Sequence, residues 1–190
     1  MGTWRKLFGP SKQEIWRQLS TEIEARYVEG GLWKGDKVQA IHGEWTVTLD
    51  TYAVSTGKTV IVFTRMRAPY VNPDGFRFTI YRKGVFSDLA KRFGMQDVEV
   101  GVEPFDRDFI IKGTDETKLR ELFSSPTIRD LIAKQPEIHF EVKDDELYFA
   151  VPGVIKDVER LKLLYELFGE TLDQLCRMGS AQREGPDVTM

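Results

Sequence analysis

The chain has one cysteine, Cys176, and two histidines, His42 and His139, among its 190 residues. A lone thiol closes no internal disulfide, and two distant imidazoles without CxxC or HExxH spacing provide no zinc site of the usual kinds. A reducing, cytoplasmic setting is therefore expected. Apolar runs are only a few residues long, which excludes a bilayer-spanning helix, and "MGTWRKLFGPS" lacks the length and apolar middle of a signal peptide. Position 6 is Lys, where N-myristoylation wants Ser or Thr. No serine sits in a GxSxG turn, so nucleophilic catalysis has no candidate. "STGKT" (55–59) ends like a phosphate loop, but Tyr52 stands where the leading glycine belongs. The strand-like "VIVFTR" then replaces the helix N-terminus that would face the phosphate, so a hairpin turn is the reading.

Charge is unevenly spread. The formal net charge is −3, yet residues 56–92 carry eight Lys/Arg against Asp74 and Asp88, which makes that stretch +6 and the remainder −9. Within it, "TRMRAPYVNPDGFRFTIYRKG" (64–84) interleaves arginines with aromatics. Guanidinium forks beside exposed rings suit phosphates, carboxylates or stacked bases.

The hydrophobic pattern places that stretch on a sheet. Ser11 and Glu14 form a capping box, and Ile15, Leu19, Ile23 and Tyr27 make one stripe of a helix over about 12–28, stopped by Gly30 and Gly31. Four strands follow as a meander, with two-residue loops at 42–43 and 56–57 and a longer turn in "PYVNPDG". That arrangement sets Ala40 against Trp45, Val38 and Met66 against Val47, and Met66 against Phe78. One face then collects Val38, Trp45, Val47, Leu49, Met66, Phe78 and Ile80, and the other Lys37, Asp50, Phe63, Arg65, Arg67, Arg77, Tyr81 and Lys83. A one-residue slip would exchange the faces, so three turns that agree support one another.

Further along, "FSDLAKRFG" reads as a short helix and "EVGVEPFDRDFIIKG" supplies a strand near 107–112. "TDETKLRELF" begins a helix with acids in its first turn. Ser125 and Pro126 suit the N-cap and first position of another helix, which Pro136 closes. "EIHFEV" and "ELYFAV" form a hairpin around "KDD". The longest helix, about 156–177, carries Val158, Leu161, Leu164, Phe168, Leu172 and Leu175. The expected architecture is an α+β fold with a mainly antiparallel sheet: an N-terminal segment (1–10), one domain in two halves (11–95 and 96–178), and a frayed tail (179–190).

Acidic groups in "EPFDRDF" (Asp106, Asp108) and "KDDE" (Asp144, Asp145) resemble cation ligands only in composition, and turns account for them. His139 is expected to face outward from its strand, and Cys176 to pack. In "MGTWRKLFG", Trp4, Leu7 and Phe8 beside Arg5 and Lys6 make a strap or a weak interfacial anchor.

"FDRDFIIKGTDETKLRELFSSPTIRDLIAKQPEIHFEVKDDELYFAVP", about a quarter of the chain, looks like a family of uncharacterised bacterial proteins known only as a domain of unknown function. The shared pattern over roughly 105–152 is Phe-x-x-x-Phe, a small polar turn, helices, and a hairpin ending aliphatic, aromatic, aliphatic. The resemblance implies a stand-alone member and brings no catalytic residues. Several members carry membrane spans that this chain lacks.

These observations lead to a non-catalytic binding module for a protein partner or a small anionic ligand, with Arg65, Arg67, Arg77, Tyr81 and Lys83 as the candidate surface. No cofactor or metal is expected, and the net charge and missing RNP signature argue against nucleic acid. Two alternatives stand beside it: attachment to a membrane surface through residues 1–9, and a metal-dependent enzyme using the acidic cluster.

Overall fold

The computed structural model describes residues 9–31, 35–84, 96–143 and 145–182. Ser11 caps α1 (Lys12–Glu22) through a reciprocal capping box with Glu14. The helix ends well before the glycines, because Glu24 turns left-handed (φ 53°) and Tyr27 enters strand β1 (Arg26–Val28). Strands β2 (Lys37–His42), β3 (Trp45–Ser55) and β4 (Val60–Pro69) follow as a meander, then β5 (Phe78–Arg82) and the short β6 (Gln96–Asp97). The "EPFDRD" stretch is helix α2 (Glu103–Asp108), and β7 (Phe109–Gly113) begins behind it. Helices α3 (Glu116–Leu122), α4 (Pro126–Ala133) and α5 (Val158–Arg177) are capped by Asp115, Ser125 and Asp157. Between α4 and α5 lies the hairpin of β8 (His139–Lys143) and β9 (Glu146–Pro152).

All the described strands join one antiparallel sheet in the order β1-β2-β3-β4-β9-β8-β5-β7-β6, so the fold is α+β. The meander differs from expectation in its fourth member. Strand β5 does not lie beside β4; the β8–β9 hairpin sits between them, and Met66 faces Phe149 rather than Phe78. Both turn registers are also displaced by two residues: Trp45 faces His42, and Leu49 faces Met66. An even displacement leaves every side chain on its own face, which is why the apolar and polar sets are as expected.

The core follows from that register. Val38, Leu49, Met66, Phe149, Phe140, Ile80 and Ile111 are consecutive cross-strand partners in one row over seven strands, and all are buried. Trp16 and Leu19 of α1, Leu119 and Leu122 of α3, Ile128 and Ile132 of α4, and the Leu161, Leu164, Phe168 and Leu172 stripe of α5 belong to the same cluster. Apolar area removed from water on this scale dominates the stability. Thr64 pins the chain entering α5: its hydroxyl donates to the Gly153 carbonyl (2.7 Å) and accepts from the Ile155 N–H (2.9 Å).

Beyond α5 the chain is held rather than frayed through Gln182. Ser180 and Ala181 are buried, Ser180 Oγ donates to Asp74 (2.7 Å), and Gln182 bridges to Val71. The short helix expected in "FSDLAKRFG", the segment with Trp4, Leu7 and Phe8, and Asp144 lie outside the described residues.

Candidate functional site

One residue along from the core row runs a second row on the opposite face. Arg26, Gln39, Thr48, Arg67, Tyr148, Glu141, Thr79, Lys112 and Asp97 are consecutive cross-strand partners from β1 to β6. Alternation of side chains in strands makes this row polar because its neighbour is apolar.

The row has two parts of different character. Over β5 and β8 it is closed. Thr79, Tyr81, His139 and Glu141 are all buried, and Thr79 Oγ1 donates to Glu141 Oε2 (3.2 Å). His139 Nε2 lies 3.7 Å from the same carboxylate. Burial lowers the His139 pKa, opposed by Glu141 and reinforced by Lys143. His139 is thus not an outward-facing sheet histidine but a buried one on the non-core face.

Over β3, β4 and β9 the row is partly open and basic. Arg65 binds Asp50 with two parallel bonds, Nε to Oδ1 at 2.8 Å and Nη2 to Oδ2 at 2.7 Å, and Arg67 Nη2 reaches Oδ2 at 3.1 Å. The fork matches the carboxylate plane, which makes such pairs strong and directional. Hydrogen bonding to Asp50 raises the Arg65 pKa against the opposing effect of burial, so the guanidinium stays charged. Two guanidiniums therefore share one acid. Among the described residues, the buried Arg67 Nε–H has no acceptor.

Aromatic rings wall this patch. Arg65 lies over the Tyr52 ring at 5.0 Å, Tyr52 stacks on Phe63 at 5.1 Å, and the Tyr148 hydroxyl bonds to that of Tyr52 (3.4 Å). Burial, then the Tyr52 bond, raises the Tyr148 pKa, so its hydroxyl is a neutral donor at ordinary pH. Cations over ring faces gain from the quadrupole and are held in place by it.

Of the five residues singled out in the sequence, the fold brings together only Arg65 and Arg67. Arg77 precedes β5, which β9 and β8 separate from β4, and its backbone is tied to Thr114. Tyr81 is buried, and Lys83 Nζ is bound to the Asp106 carbonyl at 2.9 Å. Asp50, Tyr52 and Tyr148 complete the patch instead. The first two were readable from alternation along β3, whereas Tyr148 arrives through the long-range β4–β9 pairing.

The acidic stretch has a structural task. The Asp106 carboxylate accepts the backbone N–H groups of Val100, Gly101 and Val102, each at 2.9 Å, and Asp108 pairs with Arg107. Among the described residues no group of three His, Cys, Asp or Glu side chains is arranged to hold a metal ion. Among them too, no helix is long and apolar enough to cross a membrane.

The chain matches no family model, no curated protein and no solved structure. The likeness over residues 105–152 therefore rests on its own hydrophobic pattern, and function has to be argued from the patch.

Proposed function

We propose that the protein is a non-catalytic binding module whose basic patch on β3 and β4 receives carboxylates of a partner. The observation that carries this reading is the sharing of one carboxylate, Asp50, by Arg65 and Arg67. Two guanidiniums held in place by an internal anion are preorganised for an external one, so little side-chain entropy remains to be lost on binding. The half-buried rings of Tyr52, Phe63 and Tyr148 supply flat apolar contact beside the charges. The lone Cys176 supports a reducing, cytoplasmic setting for that encounter.

The test is a fluorescence-anisotropy titration with a glutamate-rich peptide, comparing the native protein with Arg65→Gln and Arg67→Gln. Neutral substitutions are the informative ones, because reversal to Glu would crowd acids against Asp50 and disturb the fold by itself. Each should weaken binding about tenfold or more, the range for loss of a charge-assisted contact. Equal affinity in both variants would overturn the proposal.

A further inference from the structure

Strands β3 and β4 outrun their neighbours. The β2–β3 pairing begins at Val38 with Leu49, and β9 joins β4 at Thr64 with Val151. Beyond that point a single bridge from Gly153, whose N–H donates to the Val62 carbonyl, touches the base of β4, and Ala53–Val62, Val54–Ile61 and Ser55–Val60 run on as a two-stranded arm closed by the Thr56–Thr59 turn. The arm is aliphatic and uncovered: Val54 is 41% exposed, Val60 63%, Ile61 38% and Val62 39%. Natural edges carry charges, prolines or bulges that discourage pairing, and between Tyr52 and Phe63 the only charged residue is Lys58 at the tip.

The order of residues along one face gives the arm its meaning. From base to tip, β4 presents Arg67, Arg65, Phe63 and Ile61, and β3 presents Asp50, Tyr52 and Val54 on the same face. Charge gives way to rings, and rings to aliphatic side chains. Solvent-exposed Val and Ile adjoining a preorganised cationic pair make a surface with two kinds of complementarity at a fixed separation.

We infer that this face takes an extended segment of a partner protein in which acidic residues are followed by aliphatic ones. This deepens the proposed function and rests on it. Arg65 and Ile61 are four residues apart, which at a strand rise of about 3.3 Å per residue is about 13 Å. An extended ligand lying along β4 therefore carries its carboxylates about four residues from its aliphatic side chains. The carboxylates meet Arg65 and Arg67, and the aliphatic groups cover Ile61 and Val54.

The experiment uses four labelled synthetic peptides of about a dozen residues, long enough to lie along one strand. The first has paired glutamates and, four residues on, paired valines. The second replaces its valines with serine, the third replaces its glutamates with glutamine, and the fourth doubles the separation. The first peptide should bind at least about tenfold tighter than each of the others, which corresponds to burial of less than one whole aliphatic side chain. Val54→Thr with Ile61→Thr should abolish that advantage while leaving the glutamate–serine peptide unaffected.

Equal binding of the first two peptides, with both still weakened by Arg65→Gln, would overturn the role of the arm and leave the basic patch standing. No binding of any glutamate-bearing peptide would overturn both. Sedimentation showing a dimer that Ile61→Thr dissociates would replace the acidic segment with a second copy of the chain and overturn the inference.

Discussion

Asp50→Asn separates binding from stability. The native carboxylate accepts three bonds from two guanidiniums, at 2.7, 2.8 and 3.1 Å. Asparagine keeps one acceptor oxygen but turns an amide donor toward a cation, so at least one contact becomes repulsive. All three side chains retain some solvent access, which screens the loss to about 1–2 kcal/mol. For a chain of this size, that lowers the melting temperature by roughly 3–6 °C. The effect on an acidic ligand has the opposite sign, since the internal competitor is gone. A unit charge removed from about 7 Å, at an effective dielectric constant of about 40–80, changes affinity by about three- to sevenfold. Anisotropy titrations with the glutamate–valine peptide at about 0.01 M and about 0.15 M salt, beside a melting curve, measure both effects, and the gain should shrink at the higher salt. Affinity that falls together with melting temperature would show that the hold of Asp50 on the two arginines outweighs its competition with the ligand, and would refute the expected gain.

Thr64→Val leaves the Gly153 carbonyl and the Ile155 N–H without their partner and should cost about 2–4 kcal/mol by urea unfolding, against much less for Thr64→Ser. Gly169 lies under the His42 ring, which a Cβ would meet at 2.7 Å. Gly169→Ala should therefore destabilise the native protein by displacing His42 from Asp173, yet stabilise a His42→Ala background by up to about 1 kcal/mol through helix propensity. His139 provides a pH dependence. Its folded pKa is depressed by burial, so the unfolded chain takes up a proton first, and stability falls as pH drops from about 7 toward 5. Urea midpoints across that window should fall less steeply in His139→Gln.

The sequence carried the two faces of the sheet further than it carried the sheet itself. Alternation in "KVQAIH", "WTVTLDTY" and "FTRMRAP" put Val38, Leu49 and Met66 on one side and Asp50, Arg65 and Arg67 on the other. The first register was off by two residues because its loop is Gly43–Glu44 rather than His42–Gly43, and the second because its loop has four residues, Thr56 to Thr59, rather than two. Which strand neighbours β4 was not legible. Its partner β9 is about eighty residues away, and nothing local in "FTRMRAP" distinguishes a hairpin return from a distant strand of the same polarity. The same reason hid Tyr148 and gave Arg77 and Tyr81 to a patch they do not reach. Asp106, read as a turn acid, has its carboxylate on three backbone N–H groups of the loop leading into α2.

The placement of β8 and β9 between β4 and β5 has a consequence for how the molecule comes into being. Residues up to Arg82 leave the ribosome with β4 and β5 each lacking the neighbour that will join them, and that neighbour is among the last strands made. The sheet cannot be zipped in order from one end. It closes when the late hairpin slots in, so folding is limited by a long-range event of the kind that slows antiparallel folds. Until then "VIVF" and the bare side of β4 are exposed together, when association with another chain is most probable. Tyr148 enters with the same hairpin, so the basic patch acquires its full wall only in a finished chain.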